Sequence, residues 1–291
     1  MRLLWRDAAA ILKIKRSFDF FDWIMRDIIH FSHANGFPCA AYQKLFGLLQ
    51  PHYDIGYINA LGHDPRYPVT DCWPNLIEQL IEYLETHYDQ PVIGVGHSLG
   101  GFLSFFTALR RPDLFKAIVL LDSPIMGHMK STMLAVAKRF GVMDRITPAG
   151  ACRARRRHWP SADEALAYFR GKPLFADFDP DCLNDYALRC TEPAPQGGVQ
   201  LVFEPEVEYL IYSHLPHTYP RYRRQLQLPA GFIGGRSSHL VNRFDIDNMQ
   251  RHHHIVCSQM EGGHLFPLEH PKQAAAQIDA MIKRLLPASS A

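Results

Sequence analysis

The chain has 291 residues, 47% of them hydrophobic and 21% charged, which excludes a disordered protein and suffices for one large domain, or two ordinary ones, with a substantial core. Its 31 basic and 29 acidic residues leave a formal net charge of +2, so no broad electrostatic footprint for nucleic acid is present. No apolar run approaches the roughly 18 residues that a transmembrane helix requires, and no membrane span is expected.

The N-terminal MRLLWRDAAAILKIKR is basic, but its apolar runs are too short and interrupted for a secretory segment. Asp7 and the shortage of Ser weigh against a mitochondrial reading, and a cytoplasmic location is expected. From Asp27 to Ser32, Ile28, Ile29 and Phe31 mark a first strand, and Tyr53 to Ile58 a second. Between them, Ala40 to Leu49 is apolar at helical spacing. Leu76, Ile77, Leu80, Ile81 and Leu84 share one face of a second helix, with Pro74 in its first turn and Asp71 as the expected cap.

Pro91 to Val95 reads as a third strand, followed by a helix that ends near Pro112. Ala117 to Leu121, AIVLL, is continuously apolar, as a parallel strand covered on both faces should be. Alternating strands and helices predict βαβ units and a mostly parallel sheet. The rhythm breaks between Ile125 and Leu226. That stretch carries helical segments at 131–140 and 162–169 and Pro-punctuated connections, with no interleaved buried strand expected. It reads as an inserted, mainly helical cap over residues 125–226, within a core of residues 1–124 and 227–291. Strands resume at Ala230 to Gly234 and His254 to Ser258, and Pro271 to Leu286 closes the chain as an amphipathic helix.

The sharpest chemical signal is Gly96-His97-Ser98-Leu99-Gly100, between a strand and a helix. This is G-x-S-x-G in the context its mechanism requires. A tight turn with small residues on either side lifts the Ser98 hydroxyl clear of the sheet. It also leaves the Leu99 N–H at a helix N-terminus, available to an oxyanion. The second signal is Glu261-Gly262-Gly263-His264, just past the last strand, where His264 can serve as general base. The third is His33-Ala34-Asn35-Gly36-Phe37-Pro38, after the first strand. A backbone donor there is assigned to Phe37, with Ala34 and Asn35 as rivals.

With HANGFP, GHSLGG, LLDSP and EGGHLFPLEHP in that order, the chain resembles the α/β-hydrolase fold superfamily over nearly its whole length. The resemblance implies a Ser-acid-His hydrolase acting on acyl compounds, with substrate held between cap and core. It leaves the substrate unnamed. It also implies an acid after the next-to-last strand, where this sequence has Gly234-Gly235-Arg236-Ser237-Ser238-His239 and no carboxylate. Asp122, at the end of AIVLL, is the leading substitute. Asp245 and Asp247 are rivals, and a triad without a standard acid is the remaining alternative.

Other features receive plainer readings. His252-His253-His254 reads as the polar entry to the last strand rather than a metal patch. Arg153 and Arg155 to Arg157 read as solvated cap surface. Trp159, Tyr168, Phe169, Phe175 and Tyr212 would line an acyl pocket or, equally, pack the cap's own core. The six cysteines form no CxxC pair and stand at no zinc-like spacing from histidine, so free, mostly buried thiols are expected. No metal and no cofactor are expected. The sum is a serine esterase acting through Ser98, His264 and Asp122, with Leu99 and Phe37 as oxyanion donors and a small acyl compound as substrate. A carbon–carbon bond hydrolase or a thioesterase needs the same residues, and a binding protein of this fold is the alternative outside catalysis.

Overall fold

A computed structural model describes residues 26–287, so the N-terminal segment read above lies outside the described residues. Six strands form one sheet: β1 (Ile28–Ser32), β2 (Asp54–Tyr57), β3 (Val92–His97), β4 (Phe115–Leu121), β8 (Ala230–Gly235) and β9 (Val256–Met260). Their order is β2-β1-β3-β4-β8-β9, and every pairing is parallel. All carboxyl ends therefore lie along one edge, where the chain turns out of each strand into the loops that carry the candidate residues.

The apolar runs explain this arrangement. Along β4, Val119 and Leu121 pack with the helices Gln43–Leu49 and Pro271–Leu285, while Ile118 and Leu120 face the helices Pro74–His87 and Leu99–Arg110. Successive strand residues point to opposite faces, so a strand buried on both sides must be apolar throughout. Truncating Leu120 to Ala would cost about 2–5 kcal/mol. The helix Leu99–Arg110 buries nearly every residue, which explains its largely apolar sequence.

Between β4 and β8 the chain forms helices at His128–Arg139, Met143–Ile146, Ala149–Arg153, Ala162–Arg170, Pro180–Arg189 and Pro205–Ser213. It also forms a small antiparallel sheet not expected from the sequence: β5 (His158–Trp159), β6 (Thr191–Pro193) and β7 (Val199–Leu201), in the order β5-β7-β6. Strands of two or three residues are too short to register as a period.

Several local expectations are corrected. Asp71 does not cap the helix at Pro74. Trp73 occupies that position in a left-handed conformation (φ 60°) with no side-chain cap, and Asp71 pairs instead with Lys138. His252 and His253 end a helix, Arg243–His253, and His254 is its left-handed terminus, so the triplet is not a strand entry. A capping box between Asn242 and Asp245 starts this helix, which its polar sequence concealed. The basic run is not uniformly solvated either: Arg155 is largely buried, bonded to Glu208 at 2.5 Å and to the Tyr186 hydroxyl. Trp159, Phe169 and Phe175 are buried against one another and Tyr186, which is core packing.

Candidate active site

Ser98 leaves β3 at φ 50°, ψ −112° and starts the helix Leu99–Arg110. The turn is tight enough to exclude side chains around it. A Cβ on Gly96 would lie 2.3 Å from the Gly100 backbone, and one on Gly100 would lie 2.0 Å from the Ser32 carbonyl oxygen. The serine is braced through both its backbone N–H and its carbonyl. Its N–H donates to the Leu121 carbonyl at 2.9 Å, and Ser123 Oγ donates to the Ser98 carbonyl at 2.9 Å. The neighbouring strand β4 thus fixes the elbow.

Three candidate side chains meet on the carboxyl edge of the sheet. Ser98 Oγ lies 3.0 Å from His264 Nε2, and His264 Nδ1 lies 2.7 Å from Asp122 Oδ2. Asp122 is fully buried and stands at φ 48°, while the His264 side chain keeps 28% of its surface exposed. A buried carboxylate must find donors, and this one finds them on the loop after β8. Gly235 N–H donates to Oδ1 at 2.9 Å, and Ser238 Oγ donates to Oδ2 at 2.5 Å. The loop from which the sequence pattern led one to expect an acid supplies donors to an acid from the adjacent strand.

The rivals lie elsewhere. Asp245 is buried within the capping box of its own helix and bonded by Lys130 at 2.5 Å. Asp247, half-buried on the same helix, is not among the partners of His264.

The histidine loop is held by residues that sequence reasoning did not single out. Gly263 N–H donates to Glu269 Oε2 at 2.6 Å, and Ser237 N–H to the Gly262 carbonyl at 3.1 Å. His97, the variable residue before the serine, is fully buried. Its Nε2 lies 2.8 Å from the His264 carbonyl and its Nδ1 2.7 Å from the Tyr42 hydroxyl. A carbonyl only accepts, so Nε2 carries the proton and Nδ1 accepts from Tyr42. Burial, reinforced by the neighbouring His264, holds His97 well below the ordinary histidine range. No spacing rule marks this residue, because its two partners, Tyr42 and His264, come from segments far apart in the sequence.

The loop after β1 sits beside the elbow, since Gly100 N–H donates to the His33 carbonyl at 3.1 Å. His33 is buried between Ala34 and Leu61, and burial pushes its pKa down to about 4. The backbone donor assigned to Phe37 is engaged: its N–H closes a turn onto the Ala34 carbonyl at 3.0 Å. Ala34 N–H reaches the Tyr42 hydroxyl at 3.4 Å. Leu99 N–H, in the first turn of its helix, has no intrahelical acceptor.

With this geometry in view, the relatives become informative. Residues 31–278 match the model of the Alpha/beta hydrolase family, and the chain belongs to that family. Monoglyceride lipase of Mus musculus is 26% identical over 115 residues, which cover 36% of this chain and 37% of that protein. Type I acyl-CoA thioesterase mpaH of Penicillium roqueforti (strain FM164) is 26% identical over 172 residues, covering 54% of this chain and 38% of that protein. The chain thus spans under two fifths of the length of these curated relatives. Among solved structures, the thioesterase domain from the curacin biosynthetic pathway superposes with a TM-score of 0.69. It covers 88% of this chain and 92% of its own at 20% identity, a likeness of fold. Among the described residues no helix is long and apolar enough to cross a membrane.

Proposed function

We propose that this chain is a serine hydrolase that cleaves an ester or related acyl bond through an acyl-enzyme intermediate. The observation that carries this reading is the continuous line from Asp122 Oδ2 through both nitrogens of His264 to Ser98 Oγ, at 2.7 and 3.0 Å. His264 Nε2 takes the Ser98 proton as Oγ attacks the carbonyl carbon, then delivers it to the leaving group. Asp122 holds the tautomer with the proton on Nδ1 and stabilises the imidazolium as it forms. Leu99 N–H donates to the oxyanion. A Phe37 donor takes part only if substrate opens the turn onto Ala34, which makes the loop after β1 the adaptable side of the hole. Water activated by His264 then releases the acyl group.

Residues 125–226 act in this reading as a cap over the carboxyl edge of the sheet. They reach the loop after β1 through Asn35 Nδ2, which donates to the Glu208 carbonyl at 3.0 Å, and through Tyr186, whose hydroxyl donates to the Gly36 carbonyl at 3.1 Å. A lipase and a thioesterase among the relatives favour hydrolysis of an acyl group, whether from an alcohol or from a thiol.

The test is turnover of a short activated ester by the purified chain, paired with Ser98→Ala and with labelling by a fluorophosphonate. Turnover and labelling that both vanish in the variant support the reading. Labelling of Ser98 without turnover of ester or thioester substrates replaces it with a binding protein of this fold.

A further inference from the structure

Outside the line from Asp122 through His264 to Ser98, the fold joins two residues 145 positions apart: Cys72 Sγ lies 3.4 Å from His217 Nδ1. With Asp71 they offer three metal-binding donor atoms, all within 4.8 Å of one another. Asp71 and His217 line a surface cleft of about 530 Å³. The placement is imposed by the backbone. Cys72 and Trp73 are consecutive left-handed residues, at φ 61° and 60°, and Cys72 N–H is fixed to the His214 carbonyl at 3.0 Å. Non-glycine residues seldom adopt this conformation without a structural reason.

The spacing suits a tetrahedral metal. With zinc–sulfur bonds of about 2.3 Å and zinc–nitrogen or zinc–oxygen bonds of about 2.0–2.1 Å, a sulfur and a lighter donor stand about 3.6 Å apart. The separations here, 3.4 Å from Cys72 Sγ to His217 Nδ1 and 3.7 Å from Cys72 Sγ to Asp71 Oδ2, fall on either side of that value.

A cation already sits among these donors. The Lys138 ammonium pairs with Asp71 and lies 3.2 Å from His217 Nδ1, 3.8 Å from Cys72 Sγ and 2.8 Å from the Leu215 carbonyl. An ammonium only donates, so His217 presents a bare Nδ1 lone pair to this point.

We propose that Asp71, Cys72 and His217 bind a zinc-class divalent cation that takes the place of the Lys138 ammonium. A thiolate, an imidazole and a carboxylate form a borderline-soft set that favours zinc over magnesium or calcium. Binding releases the Cys72 thiol proton to solvent, and the Lys138 side chain swings outward with its charge. The Leu215 carbonyl or a water completes the tetrahedron. The bound metal ties the core loop at residues 71–72 to the segment after the helix Pro205–Ser213, without involving Ser98 or His264.

The experiment titrates the chelator-treated full chain with cobalt(II) and cadmium(II), reading thiolate-to-metal charge-transfer absorption and calorimetric stoichiometry. A single equivalent with a thiolate band is expected, lost in Cys72→Ser and kept in Cys257→Ser. His217→Gln should weaken binding, and Lys138→Met should tighten it by about tenfold, because the competing ammonium is gone. Lys138→Met keeps the test decisive, since misfolding cannot mimic a gain in affinity. A thiolate band that survives Cys72→Ser, or affinity indifferent to both His217→Gln and Lys138→Met, means an adventitious ion only and overturns the proposal.

Discussion

His97 Nε2 donates to the backbone carbonyl of His264 at 2.8 Å, from a ring whose other nitrogen accepts from Tyr42. The same Tyr42 hydroxyl is reached by Ala34 N–H at 3.4 Å. One buried chain therefore runs from the loop after β1, through Tyr42 and His97, to the loop that carries His264. His97→Phe keeps the ring volume and removes this tie. With a single hydrogen bond worth about 1 kcal/mol, kcat is expected to fall roughly fivefold while KM stays within about twofold. Fluorophosphonate labelling of Ser98 should slow in proportion. A normal kcat in His97→Phe would show that the other anchors of the loop, Glu269 and Ser237, suffice.

Asp122 and Asp245 separate by substitution. Asp122→Asn keeps the shape but offers an amide donor to His264 Nδ1, favouring the wrong tautomer, so kcat should fall on the order of 10³ to 10⁴. Ser238→Ala removes one donor and leaves His264 and Gly235 N–H in place, so a loss of roughly tenfold is expected. Asp245→Ala removes the capping box of the helix Arg243–His253 and should cost about 1–2 kcal/mol of stability with kcat unchanged. Steady-state kinetics and urea unfolding read both quantities. A collapse of kcat in Asp245→Ala with Asp122→Asn still active would reverse the assignment.

The sequence was most legible where local physics alone decides. AIVLL reads directly as a doubly covered strand, and Gly96 is demanded by backbone contacts within a single turn. The helix Arg243–His253 escaped because its polar face outweighs its few buried residues. The three short strands of the second sheet carry too few residues to show a period. Among the site residues, Ser98 and His264 stand in motifs. Asp122 was one of several options because its selection depends on a donor loop more than a hundred residues away, at Gly235 and Ser238. His97, Tyr42 and the Cys72–His217 contact are products of tertiary structure, which sequence spacing does not encode.

Buried histidines, His30 and His33 among them, set an acid limit on stability. Burial, with a smaller push from His87, lowers His30 to about 3, and burial lowers His33 to about 4, both from 6.5. Each folded value lies below the unfolded one, so the unfolded chain binds more protons. The stabilisation is present above pH 6.5 and is lost as pH falls through the folded values. Each such ring adds a slope of up to about 1.4 kcal/mol per pH unit, and His97 and His253, lowered in the same direction by burial, add to the same sum. Urea midpoints from about pH 7 to about pH 5 read it, and His30→Phe should remove one ring's share, about 1.4 kcal/mol per pH unit. A flat profile over that range would mean that both rings titrate normally in the folded chain.

The conformation of Ser98 predicts a trade between stability and turnover. At φ 50° and ψ −112° a serine bears strain that glycine escapes. The cost is of order 1–3 kcal/mol, and it is sustained by the braces from Leu121 and Ser123. Ser98→Gly relieves the strain and gives back part of the gain, because glycine adds about 0.5–1 kcal/mol of freedom to the unfolded chain. The variant should therefore be more stable than the parent by about 1 kcal/mol and have no esterase turnover. Ser98→Ala keeps the Cβ and the strain, so it should match the parent in stability while sharing the loss of activity. The contrast between glycine and alanine isolates the backbone from the hydroxyl. Equal urea midpoints for the two variants would show that the elbow is relaxed and that position 98 is occupied by serine for its chemistry without an energetic penalty.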